Sequence, residues 1–203
     1  MLGKTAIIRG MQGAFVALAL AGCTTEAAQL VSRAAEPPPM RWDHRPEAAE
    51  WTANTLMAVA QEDEVLADRV PADIDSWCPA YSDAPLPQRR AFWAGLISAV
   101  GKYESSHNPA AVGGGGKYIG IMQISPRSAR NYGCEATSAS ALKNGTANLD
   151  CAVEMMAYHV QRDGMAVGGG NRGIGRDWMP FRKSNTRAEM RNWISQQIYC
   201  QKG

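Results

Sequence analysis

"GKYESSHNPAAVGGGGKYIGIMQISP", residues 101–126, decides how the chain is read. Upstream of it, Phe92, Leu96, Ile97, Val100 and Tyr103 recur at helical spacing, with Pro87 placed as at a helix start. This helix runs into Glu104-Ser105 and is ended by Asn108-Pro109 and the glycines Gly113 to Gly116. A carboxylate at a helix C-terminus faces the negative end of the dipole. A partly apolar setting adds a desolvation penalty of the same sign, so both effects raise its pKa. A raised carboxyl is what a general acid for a glycosidic oxygen requires. The bare backbone of the glycine run lets a bulky polymer come close, with N–H and C=O groups open to sugar hydroxyls and amides.

Outward from this stretch the chain continues as helices. Ser125-Pro126 reads as a cap and first turn, with Gly133 as the stop. A third helix runs from Asn148 through Leu149, Ala152, Val153, Met156 and Val160 to Gly164. Thr186 with Glu189 has the spacing of a capping box, followed by Met190, Trp193, Ile194 and Ile198 on one face. A weaker helical pattern, with Trp51, Leu56, Val59 and Leu66, occupies 47–68. No alternating strand pattern is strong, so the fold class is mainly α.

The N-terminus carries a different signal. Lys4 and Arg9 precede an apolar run from Gly13 to Ala21, too short to span a bilayer and suited to a signal peptide. It ends Leu20-Ala21-Gly22-Cys23, which resembles the lipobox of bacterial lipoproteins. That resemblance implies cleavage before Cys23 and its lipidation. With Thr24 next, and no aspartate there, it implies a protein anchored at the periplasmic face of the outer membrane. Residues 23–46 are Ala-, Glu- and Pro-rich and read as a tether, 47–75 as an accessory helical segment, and 76–203 as the compact catalytic unit. Lys4 and Arg9 account for the whole formal excess of +2, so from Cys23 onward the charges balance and nothing asks for nucleic acid.

Five cysteines less Cys23 leave four, an even number in an exported chain. Three pairings are possible. Cys78–Cys200, tying the ends of the unit, and Cys134–Cys151, closing a local loop, are favoured. No C-x-x-C spacing supports zinc. Gly168-x-Gly170-x-x-Gly173 lacks the strand and helix of a dinucleotide loop. His44, His107 and His159 form no metal spacing and read as surface or helix-edge residues. Asn144-Gly145-Thr146 reads as a turn, and the arginines of 172–191 as a solvated face.

Glu104-Ser105, Asn108-Pro109 and Gly120-Ile121-Met122-Gln123-Ile124-x-Pro126 together resemble the lytic transglycosylases of the soluble (SLT) type. Ile121 stands where that family usually has Leu, and Asn148-Leu149 is similar to its next element. The resemblance spans roughly residues 90–162. It implies a goose-type lysozyme-like helical domain with a substrate cleft. It implies cleavage of the β-1,4 bond between N-acetylmuramic acid and N-acetylglucosamine in peptidoglycan, a lyase-type reaction needing no metal or organic cofactor. Glu104 would be the acid and then the base, giving a 1,6-anhydro end. Ser105, Tyr118, Gly120, Met122, Gln123 and Asn148 would bind substrate. A monomer acting on glycan strands is the implied assembly. The family's Ala-Tyr-Asn-x-Gly motif is missing, and Asn171, Tyr158 and Trp178 are candidates to replace its tyrosine. Two alternatives stay open: a hydrolytic muramidase of the same fold, or a non-catalytic peptidoglycan-binding lipoprotein.

Overall fold

A computed structural model describes residues 37–202; the signal segment, Cys23 and most of the expected tether lie outside these. Among the described residues five α-helices carry the fold: α1 (Ala48–Gln61), α2 (Leu86–Ser105), α3 (Pro126–Tyr132), α4 (Gly145–Asp163) and α5 (Ser184–Ser195). Between α2 and α3 lies a small antiparallel pair, β1 (Val112–Gly113) and β2 (Tyr118–Ile119), with Val112 opposite Ile119. Single 3-10 turns join the rest.

Helix α2 is the axis. Every residue from Ala91 to Gly101 is buried, so this helix is covered on all sides, as a central helix must be. Pro85 caps it and Pro87 sits in its first turn, where a missing N–H costs nothing. Helices α1 and α5 pack on it, and α1 packs also on α4. Local signals set most ends. Ser125 Oγ accepts the Ser128 N–H at 3.0 Å, and Gly133 and Gly164 close their helices at positive φ. Asn144 is more than a turn residue: its Oδ1 accepts the Ala147 N–H and starts α4 three residues before the expected Asn148.

Several expectations are corrected. The compact unit begins at Pro37, not near residue 76. Residues 37–46, read as tether, are part of the core: Trp42 is fully buried, its indole N–H donates to Thr52 Oγ1 at 2.9 Å, and its ring meets Trp51 edge-on. Next to it, Arg41 forks onto Glu189 of α5 with N···O distances of 2.6 and 2.7 Å. The 47–75 segment is likewise integral, burying Trp51, Val59, Leu66 and Ile74. The capping box fails because Glu189 is held by Arg41, Tyr103 and Lys102, and α5 starts at Ser184. His107 and His159 are buried, not peripheral; His107 bonds the Ser98 carbonyl, and His159 lies between Tyr132 and Asp177.

The role of Trp42 is testable. Trp42→Ala should destabilise the protein by about 3–5 kcal/mol, the cost of a large buried aromatic. Urea unfolding would read it; a change under about 1 kcal/mol would return this segment to the tether.

The structure pairs Cys78 with Cys200 and Cys134 with Cys151. The first staples the start of the catalytic unit to its end, where the Ala80 N–H also donates to the Cys200 carbonyl at 3.2 Å. The second ties the chain just after α3 to α4.

Candidate active site

Glu104 lies in the last turn of α2, partly buried. Helix α2 stops directly after it because Ser106 and His107 both take positive φ, 55° and 59°, an unusual conformation for non-glycine residues. The Ser106 N–H returns to the Gly101 and Lys102 carbonyls, closing the helix. The chain then turns back under the helix end.

Ser105 fastens that turn to the Gly120–Gln123 loop. Its hydroxyl donates to the Ile121 carbonyl at 2.8 Å and accepts the Asn108 N–H at 3.1 Å. Glu104 is thereby held beside this loop. Gly120, at φ 79°, has no room for a Cβ, which would collide with the Leu142 carbonyl and the Asn148 amide. Asn148 organises the loop from within. Its Nδ2 donates to the Ile119 and Leu142 carbonyls, both at 3.0 Å, and its Oδ1 accepts the Met122 N–H at 2.8 Å. Trp178 completes the brace, its indole N–H donating to the Met122 carbonyl at 2.8 Å.

The expected substrate contacts therefore divide. Met122 and Asn148 have no exposed surface, so they position the loop and do not touch a ligand. Met122 fills core, which is the ordinary fate of a methionine in such a place. Ser105 spends its hydroxyl on the loop. Gln123, at φ 50°, turns its amide into the hairpin, donating to the Gly120 carbonyl at 2.9 Å. Tyr118 is 39 % exposed, but its ring rests on Gly114 and Lys117 Nζ sits 5.1 Å from its centroid. Stacking on a sugar would require Lys117 to move aside.

Of the candidates for the missing tyrosine, Trp178 braces the loop and Tyr158 stacks edge-on against Tyr132 and His159, while Asn171 is exposed. None is shown against Glu104. Sequence reasoning missed Asp73, whose carboxylate accepts the N–H groups of Ala166, Val167 and Gly168 at 2.7–2.9 Å and so pins the glycine-rich loop after α4. No local pattern announces a partner more than ninety residues away. It also missed Asp163, which Arg176 grips with both arms and holds down at a pKa of about 2.

The electrostatics of Glu104 follow from its surroundings. Burial pushes its carboxyl up to about 7, against a smaller opposing pull from Lys183. Among the described residues no hydrogen bond stabilises its charge. Near neutral pH the group can thus both give and take a proton.

Asn148 offers a test of the scaffold. Asn148→Leu removes three buried hydrogen bonds and should cost about 3 kcal/mol or more. Turnover should fall with it while Glu104 itself is untouched. Denaturant unfolding and an activity assay check both; an unaltered stability would remove Asn148 from the brace.

Comparison with known proteins agrees with this geometry. The family described as "Transglycosylase SLT domain" matches residues 86–193, from the start of α2 into α5. Among solved structures, Bd0314 DslA, wild-type form 2, is 25% identical with a TM-score of 0.73, covering 82% of this chain and 100% of that one. A glutamate-to-glutamine mutant of the same protein is 26% identical with a TM-score of 0.72, covering 81% of this chain and 98% of that one. No curated protein sequence matches the chain. Because the matched region takes in over half the residues and includes the Glu104 helix and the loop tied to it, the chain belongs to the transglycosylase SLT domain family, lytic-transglycosylase-type enzymes of peptidoglycan.

Proposed function

We propose that the protein is a peptidoglycan lytic transglycosylase in which Glu104 is the general acid and then the general base. The observation that carries this reading is a partly buried glutamate whose carboxyl stands near 7, inside the region that the family matches. In the first step the Glu104 carboxyl gives its proton to the oxygen between N-acetylmuramic acid and N-acetylglucosamine. The C–O bond at the muramic C1 breaks, and the acetamido oxygen of the same sugar bonds to C1. In the second step the Glu104 carboxylate takes the proton of the C6 hydroxyl. The C6 oxygen attacks C1, the acetamido group is released, and the 1,6-anhydro ring closes. The proton returns to Glu104, and no water is consumed.

A hydrolytic muramidase would need a second carboxylate within about 5–10 Å to act as nucleophile or to hold water. Asp163 and Asp177 are already engaged, with Arg176 and His159 respectively. A pure binding protein has no use for a proton poised near neutrality. We further propose that Cys23 carries a lipid, that residues 24–36 are the tether left once 37–46 join the core, and that the enzyme works as a monomer from the periplasmic face of the outer membrane.

Digestion of purified peptidoglycan by the soluble domain, with fragments weighed by mass spectrometry, tests the reaction. Anhydromuropeptides are the expected product. Intact wall with bound protein would move the reading to a binding module.

A further inference from the structure

Residues 168–195 hold six cations, Arg172, Arg176, Arg182, Lys183, Arg187 and Arg191, against two carboxylates, Asp177 and Glu189. The chain from Cys23 onward is neutral as a whole, so this is a local concentration of positive charge. The nearby acids are already spent. Asp163 accepts both arms of Arg176, Asp177 is bonded to His159 at 2.9 Å, and Glu189 is held by Arg41 and Lys102. Among the described residues the other five cations enter no ion pair.

These five form one surface. Arg187 Nη1 donates to the Phe181 carbonyl at 2.8 Å and lies against Gly170, where an added Cβ would come within 2.7 Å of it. The stem of Arg172 lies against Gly168 in the same way, also at 2.7 Å. Bare glycine thus lets two arginines close over one loop. Arg182 donates to the Gly175 carbonyl at 3.2 Å and to the Arg176 carbonyl, and Lys183 is its neighbour in the chain. Lys183, Arg187 and Arg191 succeed one another at four-residue intervals, so they line one edge of α5 over about 12 Å. Arg187 is half-buried, and the other four are exposed.

Two features separate this face from an ordinary solvated one. Backbone carbonyls pin Arg182 and Arg187, so their guanidinium forks are oriented before any anion arrives and less entropy is lost on binding. The face also adjoins the active site. It begins beside Trp178, whose indole braces the Met122 carbonyl, and its Met179–Arg182 turn packs on α2, whose last turn carries Glu104.

We propose that this face is a docking surface for the peptide stems of the glycan strand, its cations taking the stem carboxylates. The proposal rests on peptidoglycan being the substrate. Each stem hangs from a muramic acid and carries more than one carboxylate. A strand drawn across Glu104 brings its stems past the turn beside it. An arginine fork accepts a carboxylate through two parallel hydrogen bonds. A row of such groups on one side of the site favours strands that keep their stems over bare glycan.

The chain from residue 24 onward, which keeps every described residue and carries no lipid, is compared with its Arg172→Gln/Arg191→Gln variant. Both side chains are exposed, so the substitutions leave the core intact. The substrates are stem-bearing glycan strands and the same strands stripped of stems by an amidase. Wild type should show a kcat/KM roughly three- to tenfold higher on stem-bearing strands at about 0.1 M salt. The preference should fade towards about 1 M, where the screening length falls from roughly 10 to roughly 3 Å. In the double variant the preference should collapse through KM while kcat holds, and Arg172→Lys/Arg191→Lys should keep most of it. An equal loss on both substrates, or a preference that survives the double substitution, overturns the proposal. So does binding to vesicles of phosphatidylethanolamine and phosphatidylglycerol that the double variant loses, with no stem preference in wild type; the face would then be a membrane surface. Binding of Glu104→Gln to both strand preparations separates the two readings. Stem-dependent binding with no turnover by wild type removes the transglycosylase and keeps the docking surface. Turnover with no stem preference does the reverse.

Discussion

Glu104→Gln should lose at least about a thousandfold in turnover while keeping the fold, because the amide can neither give nor take the proton that both steps need. The same substitution should also change stability, in a direction that identifies the group. The Glu104 carboxyl stands at about 7 in the folded protein against an ordinary 4.5. Between those values the folded state binds more protons than the unfolded chain. Stability from this group is therefore complete below 4.5 and lost as pH rises to 7. Glutamine carries no charge to bury and escapes that loss. The variant should match wild type near about pH 4 and exceed it at about pH 8 by on the order of 2–3 kcal/mol. Urea unfolding at the two pH values measures the difference. An inactive variant that is more stable only at the higher pH is the signature of a strained catalytic acid. Equal stability at both would mean that Glu104 is solvated and ordinary.

The second large effect is expected at Cys78–Cys200. This bridge spans 122 residues, and the chain-entropy argument assigns about 4–5 kcal/mol to closing a loop of that order. Domains of this size are stable by only about 5–15 kcal/mol in total. Replacing both cysteines by alanine should therefore bring the protein close to the edge of folding. The Cys134–Cys151 bridge spans 17 residues and should cost about 3 kcal/mol when removed. Denaturant midpoints of the two double variants, beside wild type with and without reductant, check the order. A smaller loss for Cys78–Cys200 than for Cys134–Cys151 would contradict it.

What could be seen in the sequence was local. Pro87, Ser125-Pro126, Gly133 and Gly164 mark helix ends because their chemistry acts within one turn. The long helix of residues 86–105 was plain from its apolar spacing, and Glu104 at its end from the Gly120–Pro126 motif downstream. What could not be seen depended on distant partners. Trp42 and Met40 sit in a Pro- and Ala-rich stretch that looks like a tether, and only partners distant in sequence make them core, as Trp51 and Thr52 of α1 do for Trp42. Glu189 fits a capping box by spacing, yet an arginine 148 residues earlier claims it. At the site, the identities of Ser105, Met122 and Asn148 were legible and their work was not. Sequence placed them against substrate, whereas the structure spends their polar groups on holding the loop.

If Glu104 closes the product ring with the substrate's own hydroxyl, no oxygen from solvent enters the product. Digestion of peptidoglycan in oxygen-18 water tests this most directly. The released muropeptides should be one water lighter than hydrolysis products and carry no oxygen-18. Label at the muramic C1, in products that Glu104→Gln does not make, would show that water attacks there, and would contradict the transglycosylase account.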